Sequence, residues 1–512
     1  MPTPARNLFR PLDWHPDPSD IPRAWPADQP LALLWSAAGG DPRWSRWSIF
    51  ARPSGSLRTT TNRGVPATDE CLGTHWSGPV DRAPDLSNPS DPLRSLADAI
   101  ASTAPAPTVD RADPDPDRPP FVGGWIGALS YELGRFIEPA ASRPQTPQSE
   151  TSWPRMLLHR CPAAYVHDRV TDQWWIVGRP DDAAALPSLE QIDHAILAAH
   201  DREFRCELDE TTLAPAARDR YTADAARVVE YIRAGDIFQA NLAHTIGGAF
   251  HGSARALFSA MVEAAAPWFG AYLEDAPIAR PANVLASISP ELFLHLDPSD
   301  RTVTTRPIKG TRRGDDRPES LRASAKDAAE LTMIVDLMRN DLGRVCEIGS
   351  IRVVHERSIE RHATPRAAEG GLLHGVATVQ GRLRPGLGVA ELLGATFPAG
   401  SITGAPKVRA MQIIRELERN QRGAYCGSIG YLSDCGGACF NVGIRTTVIR
   451  RAGARPETGP IDHFDPGRWS YGAGAGIVAD STPQAEWEET LTKAAVITTL
   501  ARTPNPAAQT PS

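Results

Sequence analysis

Four lysines are the side chains of this sequence best suited to nucleophilic chemistry. They are Lys309, Lys326, Lys407 and Lys493, and the other 50 of the 54 Lys and Arg residues are arginines. Where arginine fills almost every basic position, a remaining lysine is a candidate for a task that a guanidinium cannot perform, such as acting as a nucleophilic amine. Chance survival is the alternative for any single lysine, so the neighbouring residues must decide.

Paired carboxylates lie close to one of these lysines in residues 318–343, where the spacing of apolar residues predicts a helix. The apolar stripe extends backwards onto Asp327 and Glu330. Two carboxylates on a buried helix face require a counter-charge, and a divalent cation is the usual one. The alternative is a solvated first turn, stabilised by the helix dipole.

A second predicted helix begins in the run DSTPQAEWEETLTKA, residues 480–494, where Ser481 and a proline in the first turn are typical of a helix start. It places Glu486, Glu489 and Lys493 at i, i+3 and i+7 on its apolar face. If the two acid pairs face each other, they form an oxygen-only site suited to Mg²⁺. A structural ion-pair network is the alternative.

Two further features suit an anionic ligand. The run YGAGAGIVADS, residues 471–481, has small residues whose backbone N–H groups can approach an anion, although its glycine pattern is a weak dinucleotide signal and we reject a Rossmann interpretation. Arg445 stands among apolar residues of a predicted strand, where its fork of donors would suit a substrate carboxylate. A pair with a structural acid is an equally good explanation for Arg445.

Taken together, the motifs resemble those of the chorismate-utilising enzymes, most closely the aminodeoxychorismate synthase (component I) branch, with the anthranilate synthase large subunit as its sibling. The resemblance is strong over roughly residues 220–500 and looser before them. The motifs are SISPELFL (287–294), TRPIKGTRR (305–313), AELTMIVDLMRNDLGRVC (329–346), FPAGSITGAPKVRAM (397–411), YCGSIGY (425–431), IRT (444–446) and GAGIVADSTPQAEWEETLTKA (474–494).

The resemblance implies a role for each site residue. The four acids match the family's Mg²⁺ carboxylates, and the metal would hold the ring carboxylate of chorismate. The positions that match the substrate site are Arg445, Tyr425, Lys493, Ser401, His374, Gly474, Ala475 and Gly476. The positions that match the metal site are Asp327, Glu330, Glu486 and Glu489.

Lys309, in the PIKG motif, is the residue that separates the two branches, because anthranilate synthases usually carry Ala there. In the family mechanism this amine adds to C2 of chorismate and ammonia then enters at C4, while Glu291 matches the acid that assists the leaving hydroxyl. The implied function is amination of chorismate to 4-amino-4-deoxychorismate for folate supply, with ammonia from a separate glutamine amidotransferase subunit. Anthranilate synthase component I is the alternative enzyme, and a non-catalytic chorismate-binding scaffold is the alternative of another class.

The elements that must position these residues form an α+β fold. The resemblance implies a large antiparallel β-sheet sandwich with outer helices and a site in the cleft between its halves. We expect a sheet-rich N-terminal subdomain over residues 1–205 with long Pro-rich loops, a chorismate-binding catalytic domain over 206–502 and a disordered tail over 503–512.

Composition excludes several other classes of protein. The chain has 512 residues with 54 Lys and Arg against 61 Asp and Glu, a net charge of −7, so nothing favours a nucleic acid or membrane partner. No apolar run reaches the length of a membrane span, and residues 1–10 lack a secretory signal core, so we expect a cytoplasmic protein. The seven cysteines lack CxxC spacing and suggest neither a disulfide framework nor a zinc site.

Overall fold

The structure of the chain is a computed structural model. It describes residues 8–37, 39–61, 72–79, 83–103, 117–142, 153–198, 205–209, 215–275, 283–362, 371–451 and 460–502. The predicted tail, residues 503–512, lies outside the described residues.

Strands make up the body of the molecule. The strands of the described residues are, in chain order, β1 (Leu8–Leu12), β2 (Ala32–Trp35), β3 (Trp47–Ala51), β4 (Gly55–Thr61), β5 (Leu72–Ser77), β6 (Gly124–Leu129), β7 (Met156–Cys161), β8 (Ala163–Asp168), β9 (Gln173–Gly178), β10 (Cys206–Leu208), β11 (Gln239–Ser253), β12 (Phe269–Asp275), β13 (Asn283–Ser289), β14 (Leu292–Leu296), β15 (Thr302–Arg306), β16 (Ile308–Arg313), β17 (Arg352–His362), β18 (Leu372–Arg382), β19 (Gly404–Ala405), β20 (Ser428–Ser433), β21 (Ala438–Val442), β22 (Thr446–Arg451) and β23 (His463–Ile477).

Helices cover the strands. The α-helices of the same residues are α1 (Ile21–Ala24), α2 (Pro92–Thr103), α3 (Leu133–Ile137), α4 (Pro180–Ala183), α5 (Leu189–Ala198), α6 (Pro215–Arg233), α7 (Ala254–Ala265), α8 (Pro318–Ala323), α9 (Ala325–Gly343), α10 (Val389–Thr396), α11 (Lys407–Leu417) and α12 (Pro483–Arg502). Within the described ranges, no helix combines the length and apolar character needed to cross a membrane.

The strands form two antiparallel sheets. The first has the order β1-β9-β8-β3-β2-β12-β13-β22-β23-β11-β10, with β19 paired to β11. The second has the order β16-β18-β15-β14-β21-β20-β6-β7-β4-β5, with β17 paired to β18. Each sheet joins one block of strands from before residue 205 to one block from after it, so the two segments of chain share both sheets. The division at that residue stays a prediction.

The two sheets pack face to face. A buried apolar cluster contains Ile49 and Leu285 of the first sheet together with Ile126 and Ile429 of the second. Removing these side chains from water favours the sandwich, since the free energy of burial grows with the apolar area covered.

Helices cover the outer faces of the sandwich. On the first sheet, Leu257 of α7 and Ile497 of α12 join one buried cluster. On the second sheet, Leu331 of α9 and Met411 of α11 join another. The predicted α+β sandwich with outer helices is therefore confirmed.

The two acid-bearing helices begin differently from the sequence prediction. The helix expected over 318–343 is divided at Ser324, whose hydroxyl accepts a hydrogen bond from the Asp327 N–H at 3.2 Å and so caps α9. The second helix, α12, begins at Pro483, and Ser481, expected at the helix start, donates its hydroxyl to Glu486 at 2.6 Å. Each contact anchors the first turn of its helix, which carries one acid of the pair.

Candidate active site

Lys309 lies where the edge of the second sheet meets strand β23 of the first. It is the second residue of β16, and its Nζ would be 3.2 Å from a Cβ added at Gly476. Gly476 therefore leaves room for the amine beside the β23 backbone. The next residue, Gly310, has a φ of +79°, and an added Cβ there would lie 2.8 Å from the Asp327 carboxyl carbon, so this turn also needs glycine.

The surroundings of the Lys309 amine favour its neutral form. Burial lowers its pKa; Glu330 opposes the shift, Lys493 adds to it, and the net result is a pKa below the ordinary value. The amine makes no hydrogen bond or close ion pair within the described part of the chain. An amine whose neutral form is favoured in this way suits the role of a nucleophile.

Glu291 is a buried acid close to Lys309. Its side chain lies just before β14, and the residue is 3% exposed. Burial raises its pKa to about 7, although Ser401 and Lys309 act in the opposite direction. Its Oε1 and the Ser401 hydroxyl are buried without a hydrogen-bond partner among the described residues. Glu291 is thus able to hold a proton near neutral pH and has an oxygen free to face a ligand.

The two predicted acid pairs come together, and Lys326 lies between them. Its Nζ is 3.6 Å from Glu486 Oε1 on α12 and 4.0 Å from Glu330 Oε1 on its own helix, α9. Burial raises the pKa of Glu330, while Lys309 and then Lys326 oppose the rise. The ammonium group therefore links the two helices through their acids.

The other acid of each pair has its own cation. Asp327 accepts from the Arg312 guanidinium at 2.8 Å, and Glu489 pairs with Lys493 at 2.7 Å. Burial acts to raise the pKa of Glu489, but Lys493 outweighs it and the pKa is lowered. All four acids of the cluster are therefore balanced by side-chain cations.

The donor set fits a hard metal cation in type. The four acids are Asp327, Glu330, Glu486 and Glu489, all oxygen donors of the kind that Mg²⁺ prefers. Glu486 Oε2 is buried and lacks a hydrogen-bond partner in the described ranges, so one oxygen is available to a cation. Within these ranges no three acidic, histidine or cysteine side chains are already arranged around one metal position.

Two cationic groups line the side of the site nearest His374. Arg445 has a φ of +51°, a left-handed conformation uncommon outside glycine, and its guanidinium has no ion pair among the described residues. Lys493 donates to the Gly474 carbonyl at 2.9 Å in addition to its pair with Glu489. An unpaired, half-buried guanidinium suits an anion, and a substrate carboxylate would supply it.

His374 is a neutral polar residue that lines the site. Its Nδ1 lies 3.0 Å from the Thr311 hydroxyl, and its Nε2 is buried with no partner in the part of the chain described. Burial, and then the neighbouring His362 and Arg445, lower its pKa well below the ordinary value. The ring is therefore neutral and presents one free nitrogen.

Tyr425 lies over the glycines of β23. An added Cβ at Gly474 would be 2.8 Å from the Tyr425 hydroxyl, so the ring fits only against glycine. Since side chains alternate along a strand, Ala475 points away from the face that Gly474 and Gly476 share, and only its backbone can contribute. The structure thus brings together the predicted substrate positions but not the Ala475 side chain.

Sequence reasoning missed one polar residue of the site. Gln239, the first residue of β11, is 1% exposed, its amide group lies against Gly476, and its Oε1 has no partner among the described residues. The paired register of β11 and β23 carries it there, and no local pattern in the sequence points to this contact. Lys407, another of the four lysines, donates to Asp341 at 2.6 Å and to the Thr396 carbonyl at 2.9 Å, which gives it a structural role.

Comparisons with known proteins give a family match and similar sequences and structures. A family model described as chorismate binding enzyme matches residues 59–499. Aminodeoxychorismate synthase component 1 of Klebsiella aerogenes is 33% identical, covering 94% of this chain and 96% of its own. Anthranilate synthase component 1 of Acinetobacter calcoaceticus is 30% identical, covering 92% and 90%. The crystal structure of anthranilate synthase component I from Streptococcus pneumoniae is similar with a TM-score of 0.65 at 25% identity, covering 89% of this chain and 92% of that one.

Proposed function

This chain belongs to the chorismate-binding enzyme family, and from that membership we propose that it aminates chorismate to 4-amino-4-deoxychorismate. The observation that carries the proposal is the Lys309 amine, which lies without a partner in the described site and close to the protonatable Glu291. An enzyme that adds ammonia directly at C2, as an anthranilate synthase would, has no need of a nucleophilic amine there.

The proposed reaction proceeds in two displacements. In the first, the neutral Lys309 amine bonds to C2 of chorismate, the ring double bonds shift, and the C4–O bond breaks as Glu291 gives its proton to the departing hydroxyl, which leaves as water. In the second, ammonia bonds to C4 and the C2–N bond to Lys309 breaks. The Glu291 carboxylate accepts a proton from the added nitrogen, which returns both groups to their starting forms.

The remaining residues hold the substrate dianion. We assign one chorismate carboxylate to Arg445, with Tyr425 and Ser401 beside it. We assign the other to the acid cluster, where Mg²⁺ held by Asp327, Glu330, Glu486 and Glu489 would supply the positive charge that orients it. His374 and Lys493 complete the polar wall, and the backbone of residues 474–476 forms the floor.

The ammonia source in this proposal is a second protein. The relatives named component 1 point to an enzyme of more than one component. No cysteine of the sequence lies in a Gly-x-Cys-x-Gly turn, the signature of an amidotransferase nucleophile. We therefore propose that a separate glutamine amidotransferase supplies ammonia, in a pathway leading to para-aminobenzoate and folate.

We expect the purified chain, given chorismate, Mg²⁺ and an ammonium salt, to form 4-amino-4-deoxychorismate as its main product. The reason is that the residues for both displacements lie on this chain and only the ammonia source is external. Chromatography with mass spectrometry separates this product from anthranilate and pyruvate. Anthranilate as the main product would contradict the proposal in favour of the sibling reaction, and bound but unaltered chorismate would favour a scaffold.

Glu330→Gln and Glu489→Gln are each expected to lower activity by about 100-fold or more while leaving the fold intact, because each removes charge from the metal site and not volume from a core. Activity is measured across a Mg²⁺ titration, with thermal unfolding as the fold check. Glu319→Gln is the matched control, since Glu319 is a 71% exposed acid on the neighbouring helix α8. Wild-type rates and an unchanged Mg²⁺ requirement in both site variants would show that these acids do not hold a metal.

A further inference from the structure

Lys326 lies between the two acid pairs, where a bound metal would neutralise the same carboxylates. Its ammonium contacts Glu486 at 3.6 Å and Glu330 at 4.0 Å, one acid from each of two helices. We infer that Lys326 is an internal cation that fills the acid cluster in the metal-free protein and is displaced when Mg²⁺ binds. This inference rests on the proposed Mg²⁺ site.

The acids that Lys326 contacts need a cation in every state of the protein. The Glu486 side chain is 4% exposed and that of Glu330 13% exposed, so both carboxylates are largely removed from water. Two such charges close together are unfavourable unless a counter-charge accompanies them. In the metal-free protein Lys326 links Glu486 to Glu330 and thereby joins α12 to α9.

Lys326 is also able to leave. Its side chain is 50% exposed and it lies in the first turn of α9, so the ammonium can swing into water without disturbing the core. A lysine suits this task because its flexible stem carries a compact charge, whereas an arginine fork would hold the carboxylates in fixed geometry. The chain retains lysine here although 50 of its 54 basic residues are arginine.

Displacement has two consequences that can be measured. A Mg²⁺ ion and the Lys326 ammonium repel each other when both contact the same carboxylates. The ammonium must therefore move outward as the metal enters, and its exposure to solvent must rise. The apparent Mg²⁺ affinity must also be reduced by the fraction of molecules in which Lys326 fills the cluster.

The first test uses the wild-type chain. An amine-reactive acylating reagent is applied at one pH with and without saturating Mg²⁺, in the absence of chorismate, and labelling is mapped by mass spectrometry, which is simple because the chain has only Lys309, Lys326, Lys407 and Lys493. We expect Mg²⁺ to increase labelling of Lys326 severalfold. Lys407, whose side chain is 9% exposed in its pair with Asp341, is the internal control and should not change. Unchanged or reduced labelling of Lys326 at saturating Mg²⁺ would overturn the inference.

The second test measures Mg²⁺ binding by calorimetry without chorismate. Lys326→Met, which keeps the length of the stem and removes the charge, should bind Mg²⁺ about tenfold or more tightly than wild type, because the competing cation is gone. Arg322→Met is the matched control, since Arg322 is 65% exposed, lies on α8 and pairs with Glu319 outside the cluster.

The outcomes separate this inference from the proposed function. Mg²⁺ binding that is equal or weaker in Lys326→Met refutes the internal cation and leaves the metal site standing. No Mg²⁺ binding in any of the three proteins refutes both. If Lys326→Met does not fold, labelling of the wild-type chain decides the question alone.

Discussion

Replacing Lys309 with arginine is expected to reduce amination of chorismate by about 10³-fold or more, the loss of the whole covalent route. Arginine keeps the positive charge but is protonated at every accessible pH, so it has no lone pair to offer at C2. Burial, against the opposing Glu330, lowers the pKa of the lysine and so favours the neutral amine that carries such a lone pair. Steady-state rates with saturating ammonium measure the effect.

The same variant distinguishes a Lys309 that acts as a nucleophile from one that acts only through its positive charge. If Lys309 acts only through charge, Lys309→Arg keeps most of the activity and the proposed function loses its main support. If it acts as the nucleophile, turnover falls while chorismate and Mg²⁺ binding, followed by calorimetry, change far less. Lys309→Ala adds a second readout, because a site without the amine is open to direct attack of ammonia at C2 and should shift the residual product toward anthranilate.

The sequence predicted the chemistry of the acid cluster better than its arrangement. Helical spacing alone placed Asp327 with Glu330 and Glu486 with Glu489, and the structure brings the two pairs together through Lys326. The position of Lys326 between them could not be predicted, because it depends on how two helices far apart in the chain lie against the sheets. Local periodicity reports which face of a helix is buried and not what that face meets.

Helix boundaries also depend on contacts that a local sequence pattern does not reveal. The sequence predicted one helix over residues 318–343, yet the helix is broken at Ser324, which caps a new helix. At α12, Ser481 was expected to serve as a cap, and its hydroxyl donates to Glu486 instead. In both cases a polar side chain had several possible partners and tertiary packing selected one.

The sandwich itself was accessible only through the family resemblance. The sequence predicted a sheet-rich N-terminal part, but not that each sheet joins a block of strands from before residue 205 to a block from after it. Pairings such as that of β2 with β12 join residues more than 200 positions apart, and nothing in a local pattern encodes such a partner. The site also depends on pairing between distant strands, since Gln239 lies against Gly476 only because of the register of β11 and β23.

The pH dependence of the reaction is expected to depend on Glu291. The productive pair holds one proton, on Glu291, with Lys309 neutral, so kcat/KM should be highest where the pair as a whole carries a single proton. In more acid solution Lys309 is also protonated, and in more alkaline solution Glu291 has lost its proton as well. Because the pKa of Glu291 is raised to about 7, one limb of the profile should lie near that pH.

Glu291→Gln is expected to lower kcat/KM by about 10²- to 10⁴-fold, the usual contribution of a general acid, and to remove the limb near pH 7. The amide keeps the size of the side chain and its ability to donate a hydrogen bond, but it cannot transfer a proton to the departing hydroxyl. What remains is the ionisation of Lys309, so the residual rate should rise with pH through the lowered pKa of that amine. The profiles are compared at constant free ammonia, since ammonia itself titrates, and a variant that retained the wild-type profile with less than a tenfold loss would assign the proton to another group.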